Sequence, residues 1–320
     1  HRIVAKVDEL MALCDQLEAA RQQREQCRER LVASSLQRLN QPSDEPESFR
    51  SDARFALQVL PSFTSTPAQI KQLRQTILNL AVRGKLVEQD PEDEPAEEIP
   101  LADHSKGKSR IYESVDPPFC LPRGWAWRAI DTLAHQVTDG EHSTPPRVSE
   151  PDIPLVTAKN VRDGYMDYSD TDWVSAETAH KAWGRCKPEV GDLLMVCVGA
   201  TTGRLSVLRE EQDMVLVRSV ALIRPNADVT AAYLELAIRS PVLFNQIWAN
   251  VKATAQPCLY LGRIKSLLVP LPPLAEQHRI VAKVDEMMTL CDRLKQQLSQ
   301  AEQNSRGLLE AVLREALGHS

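Results

Sequence analysis

The stretch His278–Asp292, HRIVAKVDEMMTLCD, decides the architecture, because the chain also opens with a near copy of it, HRIVAKVDELMALCD, at His1–Asp15. An internal repeat of this kind has to be interpreted before any other feature. In both copies apolar residues recur at alternating steps of four and three, which is the a/d pattern of a coiled-coil helix. The predicted seam comprises Ile3, Val7, Leu10, Cys14, Leu17, Ile280, Val284, Met287, Cys291, Leu294 and Leu298.

Two copies in one chain can cover each other's apolar stripe, so we predict an antiparallel coiled coil with the middle of the chain projecting from one end. The alternative is that each helix packs separately on its neighbouring domain.

Between the copies, 40–65 is turn-rich and predicts a linker. A short helix is predicted in 66–87, with Thr66 and Gln69 as a capping box, Pro67 at its first position and Gly84 as its stop.

The acidic, proline-containing stretch 88–118 predicts an extended, solvated connector. From Phe119 the sequence pattern changes to short runs of β-branched residues separated by turn residues, which predict β-strands. One helix is predicted among them, and Pro241 is expected to break or kink it. These features predict a mixed α/β fold, in which one α/β domain at 119–275 lies between the spacer helices 1–39 and 276–320.

Composition limits the functional classes. With 42% hydrophobic and 26% charged residues, the chain is typical of a soluble globular protein. Its seven cysteines are scattered without zinc-ligand spacing, which predicts free thiols in a reducing cytoplasm and no metal site. No apolar run is long enough to span a membrane. The net charge of −6 argues against a free-standing nucleic-acid binder.

Three motifs have functional and ordinary interpretations. The tetrad DPPF at Asp116–Phe119 resembles the adenine-binding motif of DNA amino-methyltransferases, but no glycine-rich loop for S-adenosylmethionine precedes it, so a proline-rich domain entrance is favoured. GATTG at Gly199–Gly203 lacks the lysine of a P-loop and predicts a tight turn. DGEHSTPPR at Asp139–Arg147 lacks further ligands at metal-site spacing. No catalytic set can be assembled, so we predict a non-catalytic protein.

Several sequence motifs, in the order in which the family has them, resemble those of the specificity (S) subunits of type I restriction–modification systems. They are ILNLAVRGKLVEQDPEDEPA, LPRGWAWRAIDTL, TDGEHSTPPR, IPLVTAKNVRDG, VGDLLMVCVGATTG and LVPLPPLAEQHRIVAKVDEMMTLCD, which together extend over nearly the whole chain. The resemblance implies that the α/β domain is a target-recognition domain that reads one half of a split site in double-stranded DNA. It implies that the helices set the spacing between half-sites and dock methyltransferase subunits, with restriction subunits as further partners.

The resemblance also implies that the chain itself holds no cofactor, because S-adenosylmethionine belongs to the methyltransferase subunit. Family members usually carry two recognition domains, so we expect this sequence to be a C-terminal piece of a longer protein. The alternatives are a half-length subunit that pairs with itself to read a palindromic split site, a catalytic DNA methyltransferase, and a coiled-coil scaffold that does not bind DNA.

Candidate DNA contacts are the polar side chains of loops between strands, because arginine and lysine suit guanine whereas asparagine and glutamine suit adenine. Each candidate has an ordinary alternative as a turn-forming or ion-paired residue. The set consists of His142, Ser143, Thr144, Arg147, Lys159, Asn160, Thr201, Thr202, Arg204, Lys252, Thr254 and Gln256.

Overall fold

The computed structural model describes residues 2–40, 66–96, 119–150, 152–251 and 257–317. The predicted linker at 40–65 therefore lies almost entirely outside the described residues, as do 97–118 of the predicted connector. The chain divides into two compact units, one comprising His1–Ile77 with Glu286–Ser320 and the other Leu78–Asp285. The fold is mixed α/β with long helices, which confirms the predicted fold class.

The helices are numbered here in chain order. They are α1 (Arg2–Asn40), α2 (Pro67–Val82), α3 (Ile130–Leu133), α4 (Ala176–Trp183), α5 (Ala231–Arg239), α6 (Pro241–Asn250), α7 (Leu261–Lys265) and α8 (Leu274–Leu317). Pro241 begins α6 immediately after Ser240, whose hydroxyl caps that helix by accepting from the Leu243 amide. The predicted break at Pro241 is thus confirmed, since proline suits a first helical position and not an interior one.

The strands are short and lie in the Leu78–Asp285 unit. They are β1 (Ala126–Ala129), β2 (Ala134–Asp139), β3 (Ile153–Val156), β4 (Val161–Arg162), β5 (Tyr165–Met166), β6 (Asp172–Val174), β7 (Leu193–Val196), β8 (Leu205–Val207), β9 (Val215–Leu216), β10 (Val220–Pro225) and β11 (Leu268–Leu271). The largest sheet has the order β2-β10-β7-β8 and is antiparallel throughout. A second sheet has the order β6-β3-β9, and β1 pairs with β11.

The core of this unit lies between the four-stranded sheet and the β3–β9 region. Leu194, Val196, Leu222, Val156 and Leu216 are fully buried in one cluster. Strands β7 and β10 are apolar on both faces, with every residue of Leu193–Val196 buried. Such continuous apolar runs are typical of strands covered on both sides.

Helix α2 begins as predicted. The Thr66 hydroxyl accepts from the Gln69 amide at 3.3 Å, and the Gln69 side chain accepts from the Thr66 amide at 3.1 Å, which is the reciprocal bonding of a capping box. Beyond its end, Gly84 has φ 65°, a conformation that favours glycine. The chain turns there closely against Trp125, whose ring would lie 3.1 Å from a Cβ at Gly84.

The predicted seam is covered in one copy and open in the other. In the second copy Ile280, Val284, Met287 and Cys291 are buried, and Leu294 and Leu298 are half-buried. In the first copy Val7, Cys14 and Leu17 are exposed. The side chains of Ile3 and Leu10 lie outside the described set.

The apolar stripe of α1 is therefore exposed at its described positions, whereas that of the second copy is covered at its N-terminal end. The Arg74 guanidinium donates to the Asp292 carboxylate at 2.7 Å, so α2 lies beside this part of α8. A heptad pattern defines which face of a helix is apolar, but several apolar faces in one chain can compete to cover it.

The described part of the acidic connector is anchored on the α/β unit, although most of its acidic residues are exposed. Asp93 forms a two-point ion pair with Arg279, and the Ala96 amide donates to the Gly124 carbonyl at 2.8 Å. Ala96 is fully buried. The partly buried ion pair and the buried alanine thus anchor a segment whose composition predicts an extended connector.

Candidate nucleic-acid interface

One edge of the four-stranded sheet gathers most of the predicted contact loops. Since β2 and β7 both run antiparallel to β10, the ends of β2 and β7 lie beside the start of β10. The segments that leave the sheet there are 139–147, 197–204 and 217–219, and we call this set the loop edge. The sequence placed these segments far apart, and only the strand order brings them together.

Backbone hydrogen bonds connect the three segments. The Glu141 amide donates to the Leu216 carbonyl at 2.8 Å, and the Arg218 amide donates to the Glu141 carbonyl at 2.9 Å. On the other side, the Cys197 amide donates to the Ser219 carbonyl at 2.9 Å. The loop edge is therefore a continuous backbone surface held in register, which is what a surface that positions side chains on DNA requires.

The loop edge presents six of the predicted residues. His142, Ser143, Thr144 and Arg147 are exposed, and Thr201 and Arg204 are half-exposed. Lys252, Thr254 and Gln256 lie outside the described residues. Pro257 lies beside the loop edge, because its carbonyl accepts from the Gly199 amide at 2.9 Å.

Arg147 and Lys159 are engaged with carboxylates. The Lys159 ammonium lies 2.8 Å from the Asp170 carboxylate and 3.7 Å from that of Asp172, and Arg147 lies 3.5 Å from Asp172. The hydrogen bond to Asp170 raises the pKa of Lys159. Exposed pairs of this kind contribute little stability, so these cations remain able to exchange a carboxylate for a phosphate.

Asn160 is a structural residue, and its assignment as a DNA contact is wrong. Its side chain is fully buried. Its Oδ1 accepts from the Thr157 amide and hydroxyl at 2.9 and 3.2 Å, while its Nδ2 donates to the Asp167 carbonyl, the Asp170 carbonyl and the Thr171 hydroxyl, each at 3.0 Å. All of its hydrogen-bonding capacity is thus used within the turn after β3.

Thr202 is also misassigned. It is buried, and its hydroxyl donates to the Gly199 carbonyl at 2.7 Å, which closes the turn between β7 and β8. The ordinary interpretation of GATTG as a tight turn is the correct one for this residue. Small hydroxyl residues favour turns because they bond to nearby backbone groups.

Substituting Asn160 with alanine is expected to lower the free energy of unfolding by about 2–4 kcal/mol, because it leaves several buried polar groups without partners. Chemical denaturation followed by tryptophan fluorescence measures this. The adjacent Lys159→Ala variant is the control and should cost less than about 1 kcal/mol. An Asn160→Ala protein as stable as Lys159→Ala would contradict the structural role.

Two arginines of this surface were not among the predicted contacts. Arg218 is exposed on 217–219, and its side chain forms no ion pair with any residue that the structure describes. Arg185 reaches the loop edge from beyond the end of α4, where its Nη2 donates to the Asp139 Oδ1 at 2.5 Å. Arg218 could have been found from its position between two strand-like runs, whereas nothing in the sequence connects Arg185 with Asp139.

The described part of the DPPF tetrad is used for packing. The Phe119 ring lies edge-on to Trp127 with centroids 5.0 Å apart, and the Arg83 guanidinium stacks over it at 4.4 Å. The Trp127 indole donates to the Phe119 carbonyl at 3.3 Å. Asp116 and both prolines lie outside the described residues. Phe119 thus helps to close the domain entrance, as the ordinary interpretation predicts.

Among the described residues, no three His, Cys, Asp or Glu side chains are grouped as a metal site. Within the same residues, no helix has the length and apolar character that a membrane crossing needs.

Comparison with known proteins shows similarity to DNA specificity subunits. Residues 149–303 match the model of the type I restriction modification DNA specificity domain. The chain is 28% identical to the specificity subunit of the type I restriction enzyme EcoEI of Escherichia coli, over 99% of this chain and 56% of that protein. It is also 28% identical to the EcoAI specificity subunit of Escherichia coli, over 76% of this chain and 44% of that protein.

A solved structure has a similar fold. The HsdS subunit from Thermoanaerobacter tengcongensis superposes with a TM-score of 0.51 at 19% identity, over 90% of this chain and 57% of that chain. The chain spans about half the length of the relatives that it matches. Residues 149–303 thus resemble the type I restriction modification DNA specificity domain, and the chain is similar along nearly its whole length to the specificity subunit of a type I restriction enzyme.

Proposed function

We propose that this chain is a DNA sequence-recognition subunit whose α/β unit reads one half of a bipartite site in double-stranded DNA. The observation that carries the proposal is the loop edge, where three segments place exposed donors on one backbone surface. Arg204 and Arg218 supply positive charge there, and His142, Ser143, Thr144 and Thr201 supply neutral hydrogen-bonding groups. Cations position a protein on phosphates, and groups of both kinds read base edges.

The long helices have a separate role in this proposal. Helix α8 has 44 residues, so at 1.5 Å per residue it extends about 66 Å. A rod of that length suits a spacer that sets the distance between half-sites and offers docking surface to methyltransferase subunits. Restriction subunits are further partners of the assembled complex.

In the proposed complex this chain is non-catalytic. S-adenosylmethionine binds the methyltransferase subunit, and that partner contributes much of the electrostatic attraction to DNA, because this chain is acidic overall. We place the complex in the cytoplasm. All seven cysteines are free, which suits a reducing compartment.

Co-expression with the methyltransferase subunit of the same locus tests the proposal. Mapping of N6-methyladenine by long-read sequencing should then show a split DNA motif. With the purified complex, the double variant Arg204→Ala/Arg218→Ala should bind that motif about 10- to 100-fold more weakly near 0.1 M salt. Its plot of log affinity against log salt should be shallower by about 2, because each phosphate contact contributes about 0.9.

The control is Lys265→Ala, which removes a cation that pairs with Asp131 at 3.1 Å, near the opposite end of β2. Its salt dependence should equal that of the unaltered complex. A double variant with an unchanged salt slope would refute the assignment of these arginines. A stable complex that methylates without any sequence preference would refute the recognition function itself.

Self-pairing is the second candidate, because apolar residues remain exposed on both long helices. Val7, Met11 and Leu17 are exposed on α1, and Leu308 and Val312 on α8. A second copy of the chain could cover them. The methylation map separates the two cases, since self-pairing predicts half-sites that are inverted copies of each other.

A further inference from the structure

Arg185 is held against the loop edge by a single carboxylate. Its Nη2 donates to Asp139 Oδ1 at 2.5 Å, and its Nε donates to the Asp139 carbonyl at 3.2 Å. Asp139 is the last residue of β2 and pairs with Ala221 of the central strand β10. Its side chain is only 14% exposed, whereas that of Arg185 is 42% exposed. An arginine from outside the sheet is therefore anchored on a residue of the sheet itself.

The two anchoring bonds fix the plane of the guanidinium and leave part of it available. Both use the Nε/Nη2 side of the group, and Nη1 has no acceptor among the residues that the structure describes. Hydrogen bonding to Asp139 is also the largest influence on the pKa of Arg185, which is raised, so the group stays charged. A fixed planar fork suits an acceptor pair with defined geometry, whereas a phosphate accepts from many directions.

We propose that Arg185 is a specificity-determining residue that donates to O6 and N7 of a guanine in the major groove, and that Asp139 is its positioning residue. The inference rests on the proposed DNA-reading function and names the base that one residue of that site selects. Guanine presents two acceptors side by side in the major groove, and a bidentate arginine is their usual partner.

His142 controls access to the second donor. Its Nε2 lies 3.0 Å from Asp139 Oδ2 and 3.1 Å from Arg185 Nη2. A neutral imidazole can satisfy only one of these contacts, because a single nitrogen either donates to the carboxylate or accepts from the arginine. The ring is 60% exposed and is the most weakly held of the three groups. When a base edge displaces the His142 ring, the second hydrogen of Arg185 Nη2 becomes available. Nη1 and Nη2 then form the pair of donors.

Neighbouring charges are consistent with this arrangement. Glu141 and Asp139 both act to keep Arg185 protonated, and the Ser143 hydroxyl donates to the Glu141 carboxylate at 3.3 Å. Lys187, two residues further along, turns away and lies over the Trp183 ring at 4.7 Å. The two cations of this short segment thus have different environments, which provides a matched control.

The test uses the complex with its methyltransferase subunit and a DNA library randomised across the recognised half-site. Methylation rates are compared for the unaltered chain, Arg185→Ala, Arg185→Lys, Asp139→Asn and Lys187→Ala. Arg185→Ala should lose about 5- to 100-fold of the preference for guanine at one position and keep the preferences elsewhere. Arg185→Lys should retain overall binding but lose most of that preference, since a lysine is a point charge and not a fork.

Asp139→Asn should weaken the preference at the same position by a smaller factor, and Lys187→Ala should leave it unchanged. An Arg185→Ala effect spread evenly over all library sequences would identify a phosphate contact and overturn the inference, as would no effect. If Arg185→Ala fails to assemble, Arg185→Lys decides, because it keeps the charge. Absence of any preference with the unaltered chain would instead count against the proposed function.

Discussion

Gly140→Ala is expected to lower the free energy of unfolding by about 3–5 kcal/mol and to disorganise the loop edge. An added Cβ would lie 2.1 Å from the Leu216 carbonyl oxygen and 2.2 Å from its carbon. These atoms belong to the backbone of β9, which cannot move independently because the same carbonyl accepts from the Glu141 amide at 2.8 Å. The overlap must therefore separate the start of the DGEHSTPPR loop from the strand beside it.

Chemical denaturation of the whole chain measures the loss, with the five tryptophans as fluorescent probes. The matched control is Gly262→Ala on α7, where an added Cβ has no atom within 4 Å. That variant should be unchanged or slightly stabilised, since alanine favours a helix over glycine. A Gly140→Ala protein as stable as Gly262→Ala would show that β9 and the loop separate freely, contrary to the structure.

Asp192→Ala is the second substitution with a large expected effect, a loss of about 3–4 kcal/mol. The Asp192 carboxylate is nearly completely buried and accepts from Arg224 Nε and Nη2, both at 2.8 Å, and from the Glu189 amide at 2.8 Å. The hydrogen bonds that Arg224 donates to this carboxylate raise the pKa of Arg224. Removing the carboxylate leaves the Glu189 amide without this acceptor, and among the described residues it leaves the guanidinium with only Glu189 as an ion-pair partner.

Asp213→Ala is the control, because Asp213 is an exposed carboxylate 3.7 Å from Lys187. Its loss should cost less than about 1 kcal/mol. Asp192→Asn should fall between the two, since its amide oxygen can still accept one of the three hydrogen bonds. Equal stability of Asp192→Ala and Asp213→Ala would mean that the buried pair contributes no net stability, as can happen when desolvation offsets attraction.

Local sequence signals predicted local structure well. The capping box at Thr66, the stop at Gly84 and the break at Pro241 each depend on the conformational preference of one or two residues, and each is confirmed. Apolar runs such as DLLMV likewise became buried strands. These features follow from chemistry within a few residues of the chain, which the sequence states directly.

The candidate site was predictable only in part, because exposure depends on the tertiary structure. Asn160 and Thr202 have the side chains expected of DNA contacts, yet both are buried in turns. Arg185 is the opposite case, because the sequence did not predict it as a contact although it lies at the site. It follows a helix and contacts Asp139 only in the folded chain. Residue type therefore indicates what a side chain can bond to, and the fold decides whether the partner is another residue or an external molecule.

The sequence by itself determined the mixed α/β class, the apolar face of each long helix, the segments that form loops and the resemblance to specificity subunits, because these depend on local composition and on order along the chain. Only the tertiary structure decided that β2, β7 and β10 end at one edge and bring three separate loops together. It also decided that α2 lies beside the second repeat while Val7 and Leu17 stay exposed. Strand order and helix pairing depend on competition among many apolar surfaces. No single stretch of sequence predicts which of these surfaces pack together.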